Sequence, residues 1–168
     1  MLALLLLAVL GRFAAALSAP QRPGCPIEND SWTIKNLVVF AAAASKPAAT
    51  TQQHPVSFMT FEFHDDNKGL KLQTSCYRES NTSAISDPNN YYACENVNVR
   101  FKFDGVSLQV VRGFQNNCLG KPPYDHGDAF GEADTNLVVT PTFYGTLGTQ
   151  DQQSVPITRL AMLKTEEE

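Results

Sequence analysis

The chain has 168 residues, a formal net charge of −4 at pH 7 and four cysteines. That length suits one domain with its own hydrophobic core and leaves little room for a second one. The acidic balance, with no cluster of Lys or Arg, argues against a nucleic-acid partner, which would require a basic surface.

Residues 1–19 have the pattern of a secretory signal peptide. Leu2 to Leu10 is an unbroken apolar run, and small apolar residues follow, with cleavage expected after Ala16 or Ala19. The run is too short to span a bilayer, so we expect no membrane span. A buried core helix is the alternative interpretation. The sequence therefore predicts a secreted, extracellular protein in which residues 20–30 form a short N-terminal segment.

All four cysteines lie beyond this leader, at Cys25, Cys76, Cys94 and Cys118. An even number of cysteines in a secreted chain implies disulfides, and four cysteines allow three connectivities. Cys76 and Cys94 flank a polar loop, so we expect them to pair, which leaves Cys25 for Cys118. A zinc site is disfavoured because the chain has no Cys-x-x-Cys spacing. No metal or cofactor is expected.

The first predicted strand is Ser31–Val39. Trp32, Ile34 and Asn36 are expected to share one face, as the period of two requires. The continuously apolar end of this segment, Leu37 to Phe40, is typical of a strand buried on both sides.

Residues 40–55 break the alternating pattern and offer no apolar face. A stretch of this length without structure is long for a compact domain, which favours either a flexible insertion or a recognition loop. Alternation resumes over Val56–His64, with three apolar residues on one face: Met59, Phe61 and Phe63. Asp65–Gly69 has the composition of a turn, and Leu70–Cys76 is the predicted return strand.

Val97–Arg112 predicts a hairpin at the centre of an antiparallel sheet. Its apolar residues alternate with polar ones, which places Val97, Val99, Phe101 and Phe103 on the buried face. Asp104-Gly105 favours a two-residue type I′ turn. The expected register pairs Phe103 with Val106, Phe101 with Leu108, and Val99 with Val110.

The rest of the chain predicts fewer elements. A Gly/Pro loop runs from Cys118 to Gly127, Asn136–Phe143 is a further strand, and Val155–Leu163 is a last strand or a short helix. Residues 164–168 are an acidic tail. Several short strands without a long helical period indicate an all-β fold, an antiparallel β-sandwich or β-barrel stapled by two disulfides, as a single domain over residues 31–163.

Catalytic patterns are missing from the sequence. It has no Gly-x-Ser-x-Gly elbow, and oxidised cysteines would leave no thiolate nucleophile. His64, Asp65 and Asp66 together with Asp128 could assemble a metal or acid/base site, but turns collect Asp for backbone reasons. We therefore expect a protein that acts by binding and not an enzyme. A secreted hydrolase with its site dispersed over loops is the less favoured alternative.

Two further features concern the surface. Asn29 and Asn81 match the N-glycosylation acceptor pattern, and Asn81 is the better candidate because it lies in a polar loop between two cysteines. Tyr91 and Tyr92 precede Cys94, where packing is the favoured role. Contact with a small aromatic ligand is the alternative, because tyrosine offers both a ring and a hydroxyl.

Several segments resemble a family of secreted fungal proteins typified by the Alternaria major allergen. The resemblance spans roughly Cys25 to Val139 and rests on cysteine order and strand pattern. The matching segments are Cys25-Pro26, Trp32-Thr33-Ile34, Val56-Ser57-Phe58, Thr74-Ser75-Cys76, Tyr91 to Asn96 and Phe101-x-Phe103. It implies an extracellular antiparallel barrel or sandwich with no established catalytic activity.

The same resemblance implies partners. Relatives act as allergens, elicitors or effectors that engage plant defence proteins, including thaumatin-like ones, and the allergen dimerises through its N-terminal cysteine and binds flavonoid-like ligands. This chain has Ala129-Phe130-Gly131 where the family has a further cysteine, so Cys118 needs another partner, and Cys25 is the candidate. We expect a monomeric effector or elicitor, with a dimer through Cys25 and a flavonoid-like carrier as alternatives.

Overall fold

The structure is a computed structural model that describes residues 29–43, 55–80 and 84–162. These residues form ten β-strands and no helix, which confirms the all-β prediction. They include no helix of the length and apolarity that crossing a membrane requires. Predictions for the leader, the middle of the 40–55 loop, Cys25, Asn81 and the acidic tail lie outside the described residues.

The strands form two antiparallel five-stranded sheets. Sheet A contains β1 (Trp32–Ala42), β2 (Ser57–Asp65), β3 (Leu72–Ser80), β8 (Val138–Thr142) and β9 (Gly145–Val155) in the order β3-β2-β1-β9-β8. Sheet B contains β4 (Tyr92–Ala93), β5 (Val99–Phe103), β6 (Ser107–Gln115), β7 (His126–Asp134) and β10 (Ile157–Met162) in the order β10-β7-β6-β5-β4. Each sheet keeps two edge strands, so the closed-barrel alternative is wrong.

Aromatic side chains from both sheets meet in the core. The ring edge of Phe61 on β2 packs on Phe101 of β5, with centroids 4.9 Å apart. Trp32 packs edge-on against Phe63 at 5.3 Å, and all four rings are at most 1% exposed. Gly131 lies under the indole, where an added Cβ would come within 2.8 Å of the ring. The arrangement is that of a sandwich with a filled interior.

A bulge in β1 decides which of its side chains face inward. Asn36 has a positive φ of 54°, and the pairing of β1 with β2 shifts by one residue there. Trp32 and Ile34 are buried before the bulge, whereas Leu37 and Val39 are buried after it. Asn36 itself is exposed, so its predicted place on the buried face is wrong.

The central hairpin exists, but its register differs from the prediction by two residues. Phe103 pairs with Leu108 and Phe101 with Val110. The turn is centred on Gly105 and Val106, because the Asp104 carboxylate accepts hydrogen bonds from the backbone N–H groups of Val106 and Ser107 at 2.8 and 2.7 Å. A two-residue shift keeps the side chains of the paired residues on their predicted faces. Val106 at the turn is 65% exposed and Val97, which precedes β5, is 73% exposed, so their predicted places on the buried face are wrong.

The predicted disulfide between Cys76 and Cys94 is present, with a Cα–Cα distance of 4.2 Å. It joins β3 of sheet A to the residue that follows β4 of sheet B. Cys118 is not a free thiol. Its predicted partner Cys25 lies outside the described residues, so that pairing stays a prediction.

Three strands were not predicted from the sequence, the two-residue β4 and the longer β7 and β9. The apolar side chains of β7 are two alanines and one phenylalanine, and its other residues are His, Gly, Asp and Glu. β9 is rich in Gln, Thr and Gly. Both are central in their sheets, where neighbouring strands supply the apolar cover. The segment that begins near Val155 forms strand β10, so its helical alternative is wrong.

Candidate functional site

The outward surface of sheet A carries a row of apolar side chains, which we call the apolar face. Its members are Val38, Phe40, Phe58, Tyr77 and Leu147. The rings of Phe40 and Phe58 lie 5.6 Å apart, and those of Phe58 and Tyr77 lie 6.4 Å apart, with interplanar angles of 30° and 29°. Phe40 also lies opposite Leu147 in the pairing of β1 with β9. The row therefore crosses four adjacent strands.

The bulge at Asn36 creates this row. After the bulge, Leu37 and Val39 point into the core, so Val38 and Phe40 point outward. The same alternation on β2 buries Met59 and turns Phe58 outward. The prediction that the end of β1 is buried on both sides is therefore wrong.

The apolar face is not part of the hydrophobic core. Phe40 and Phe58 are only half-buried, and Tyr77 is 52% exposed. Sheet B packs on the opposite surface of sheet A, and the described chain supplies no third layer. Apolar side chains stabilise a fold when they leave water, so an uncovered row suggests contact with another molecule.

The hairpin of β8 and the facing half of β9, residues 138–149, extends sheet A beyond the sandwich; we call it the hairpin arm. Every residue of β8 is exposed, with Val138 at 69% and Val139 at 62%. Residues 135–150 contain no charged side chain. The arm thus combines exposure with an uncharged composition.

Two aromatic residues form the tip of the hairpin arm. Phe143 is 92% exposed and Tyr144 61% exposed, and their rings meet edge-to-face at 5.1 Å. The backbone N–H of Ala43 donates a hydrogen bond to the carbonyl of Tyr144 at 2.8 Å. This bond holds the tip against the end of β1 while both rings remain open to solvent.

An open cleft of about 540 Å³ lies at one end of sheet B. Its lining includes Asn98, Phe114, Gln115, His126, Asp128 and Met162. The cleft joins apolar surface to hydrogen-bonding groups, a mixture that small-molecule sites also have.

A buried carboxylate orients the histidine of this cleft. Asp125 is 1% exposed and lies 2.8 Å from Nδ1 of His126, and it accepts a hydrogen bond from the Gln115 amide at 2.6 Å. The hydrogen bond from Gln115 is the main reason that the pKa of Asp125 is lowered, and His126 contributes in the same direction. The imidazole is thereby held in one orientation while about half of its surface faces solvent.

A second polar cluster is buried between the sheets. Arg112 Nε lies 3.6 Å from Asp65 Oδ2, and the Asn67 amide donates to Asp65 Oδ1 at 2.9 Å. Burial lowers the pKa of Arg112, while the charge of Asp65 opposes that change. The cluster connects β2 to β6 through the ion pair of Asp65 with Arg112. The terminal nitrogens of Arg112 donate to the backbone carbonyls of Gly113 and Leu70, which is the behaviour of a structural tie.

The structure places the two candidate tyrosines in different surroundings. Tyr92 donates to Asp87 at 2.5 Å and lies under the Arg78 guanidinium, 4.0 Å from the ring centre. That hydrogen bond raises the pKa of Tyr92 and lowers the pKa of Asp87. Tyr91 is 41% exposed and donates to Gln109 at 3.1 Å. Neither lines the cleft, and contact with a ligand stays a prediction.

The four residues considered for metal or acid/base chemistry take separate roles. Asp65 and Asp128 have ion-pair partners, Arg112 at 3.6 Å and Arg100 at 3.9 Å, and His64 lies 3.4 Å from the Glu62 carboxylate. Asp66 is exposed. Across residues 29–43, 55–80 and 84–162, no three His, Cys, Asp or Glu side chains are grouped to hold a metal ion.

The glycosylation candidate Asn29 is exposed just before β1. Occupancy stays a prediction for Asn29 as for Asn81.

No protein-family model matches the chain, and no curated protein is significantly similar to it. The resemblance to the Alternaria allergen family stays a prediction.

Sequence reasoning missed the apolar face, although one signal for it was present. Val56–His64 alternates regularly, and its buried set begins at Met59, which leaves Phe58 on the solvent side. An aromatic residue on the outward side of an amphipathic strand indicates a contact surface. The partner aromatic Phe40 could not be assigned outward, because the bulge at Asn36 has no clear sequence pattern.

Proposed function

We propose that this protein is a secreted, non-enzymatic binding protein that acts as an effector or elicitor by engaging an extracellular host protein. The observation that carries the proposal is the apolar face, with Phe40, Phe58 and Tyr77 in one row on the outside of sheet A. Aromatic residues are enriched at the centres of protein interfaces, where a few of them supply most of the binding energy.

The arrangement of the ionisable groups supports binding over catalysis. The buried Asp65 and Arg112 neutralise each other between the sheets, and Asp87 is engaged by Tyr92. His126 is more accessible than His64, the other histidine in the described part of the chain, and its neighbour Asp125 is committed to orienting it. A reaction at His126 would need a second reactive group, and the sequence singles out none.

Infiltration of plant leaves tests the proposal. Purified protein is compared with a Phe40→Thr/Phe58→Thr variant, and ion leakage is measured over a dose series in several hosts. Loss of two interface aromatics should raise the effective dose at least about tenfold, since hot-spot residues each contribute around 2 kcal/mol or more. Threonine keeps the strand propensity, so the sheet should survive.

Tyr91→Thr is the matched control, because it removes an exposed aromatic that lies just before β4 of sheet B and not on sheet A. It should keep the full response, and reduced, unfolded protein should give none. Equal responses from the apolar-face variant and the wild type, or no response to folded protein in any host, would refute the proposal.

The cleft favours a second candidate function, the binding of a small aromatic molecule such as a flavonoid. Its volume of about 540 Å³ is within the usual range for ligand sites. Phe114 and Met162 offer apolar contact, and His126 and Gln115 offer hydrogen bonds.

Isothermal titration calorimetry with a flavonoid tests this alternative. We expect saturable binding that His126→Ala weakens and Tyr91→Thr leaves unchanged. If instead Tyr91→Thr weakens binding and His126→Ala does not, the ligand contacts the tyrosine pair and not the cleft.

A further inference from the structure

We propose that the outer edge of β8 accepts an extended, uncharged segment of the partner protein as an additional strand of sheet A. This inference rests on the proposed function, because it names the chemistry of the partner that the apolar face would engage. The mode of recognition is strand addition, in which main-chain hydrogen bonds supply affinity and side chains supply specificity.

The first argument is the exposure of β8 on three sides. It pairs with β9 along one edge, and no strand of the described chain pairs with its other edge. Val138 points to one face of the sheet and Val139 to the other, and both are more than 60% exposed. Exposed, apolar edge strands are sites where another chain adds, and proteins commonly block them with charged side chains or proline. Residues 135–150 contain no charged side chain, and Pro141 removes only one outward N–H.

The second argument concerns the hydrogen-bonding groups of that edge. Proline in a sheet occupies positions whose missing N–H would face away from the neighbouring strand. The backbone carbonyl of Pro141 must therefore point away from β9. The N–H and carbonyl of Val139, two residues earlier, must point the same way. The edge then offers two carbonyls and a single N–H, which suits a partner strand that supplies more donors than acceptors.

The third argument gives the side-chain chemistry. Thr140 lies opposite Leu147, which lies opposite Phe40. An added strand would place its own residue next to Thr140 and so continue the apolar face by one position. A charged side chain there would find no ion-pair partner, because residues 135–150 carry no charge, whereas an apolar one would lengthen the row. The partner segment is therefore an alternating run of apolar and hydroxyl residues without charge.

A second copy of this chain fits the edge less well. In an antiparallel pair of two β8 strands centred on Thr140, Pro141 of each copy lies opposite Val139 of the other. Each of these two pairs would form one hydrogen bond instead of two, because Pro141 has no N–H. A partner segment without proline loses only one hydrogen bond at this edge.

A synthetic peptide tests the inference directly. The probe is an end-capped nine-residue peptide of alternating Thr and Val, added to the full chain labelled with ¹⁵N. We expect saturable binding, shifts centred on residues 138–142 and slowed hydrogen exchange at the Val139 N–H. The same peptide with alternate amides N-methylated lacks the donors and should not bind.

Two variants at one position separate backbone from side-chain effects. Val139→Pro removes the single outward N–H, and Val139→Lys keeps it but adds an edge charge. Each should weaken peptide binding at least about tenfold, because each removes a feature that strand addition requires. Gln73→Lys on β3, the opposite edge of sheet A, is the matched control and should bind normally. Equal binding by the N-methylated peptide, or by both Val139 variants, would overturn the inference.

Analytical ultracentrifugation of the protein without peptide tests whether a second copy of this chain occupies the β8 edge. A dimer that Val139→Lys converts to monomer would assign the edge to a second copy and overturn the inference. The leaf assay keeps this result distinct from the proposed function. If Val139→Lys keeps the response that the apolar-face variant loses, strand addition fails and the proposed function stands; if both keep it, both fail.

Discussion

The centre of the sandwich and the hairpin arm are built from similar residue types but in opposite surroundings. In the centre, Phe61 and Phe101 are at most 1% exposed and meet at 4.9 Å. In the arm, Phe143 and Tyr144 meet at 5.1 Å but are 92% and 61% exposed. The same aromatic contact therefore stabilises the fold at one place and leaves apolar surface in water at the other.

This contrast separates residues that hold the fold from residues that are available for binding. Burial stabilises in proportion to the apolar area removed from water, so the centre should dominate stability and the arm should contribute little. If the arm is retained for binding, its substitution should change function without changing folding. The following predictions test that division, beginning with the largest effect.

Phe61→Ala should have the largest effect on stability. It removes a fully buried ring that contacts the other sheet, and such substitutions cost about 3–5 kcal/mol. Urea unfolding followed by tryptophan fluorescence gives the free energy of unfolding. A loss below about 1 kcal/mol would mean that the two sheets are not held together by this contact.

Replacing both Cys76 and Cys94 by Ser should come next. The bond closes a loop with a sequence separation of 18, for which chain-entropy models give about 3 kcal/mol. The free energy of unfolding of the double variant, compared with that of the intact protein, measures this contribution. Unchanged stability would show that the 84–90 segment is held by its other contacts alone.

The hydrogen bonds of Asp87 should make the free energy of unfolding depend on pH. The hydrogen bond from Tyr92, followed by those from Asn90 and Asn89, lowers the pKa of Asp87 in the folded state. Because the folded pKa lies below the unfolded value of about 3.9, the stabilisation is fully present above about pH 5 and is lost as the pH falls through the folded pKa.

The free energy of unfolding of wild type and Asp87→Ala should therefore differ at pH 6, and the difference should narrow at pH 3. Tyr92→Phe, which removes the largest cause of the shift, should reproduce much of this behaviour. A difference that stays constant between the two pH values would contradict the prediction.

Phe143→Ser should have the smallest effect on folding. The side chain is 92% exposed, and surface substitutions of this kind usually change stability by less than about 0.5 kcal/mol. An unfolding midpoint shifted by clearly more than that would place Phe143 among the residues that hold the fold and would weaken the contrast between arm and centre.

The sequence predicted what depends on local alternation. The buried set of β2, the existence of the central hairpin and the Cys76–Cys94 bond are confirmed, because each follows from spacing within one short segment. β7 and β9 were missed because central strands can be polar when their neighbours supply the apolar surface.

The candidate site was harder to predict for a related reason. The apolar face needs Phe40, Phe58 and Tyr77 to align across three strands, which depends on register and on the bulge at Asn36. Register is set by long-range pairing, and a bulge reverses the facing of every residue that follows it. Neither is visible in the composition of a single strand.

The central claim is that the apolar face, and not a reactive group in the cleft, acts on the partner. Dose–response curves for two variants in leaves test this claim most directly. The account predicts that His126→Asn, which alters the cleft, retains the full response, and that Phe40→Thr/Phe58→Thr loses it while remaining folded. A lost response for His126→Asn together with a retained response for the apolar-face variant would contradict the account and indicate chemistry in the cleft.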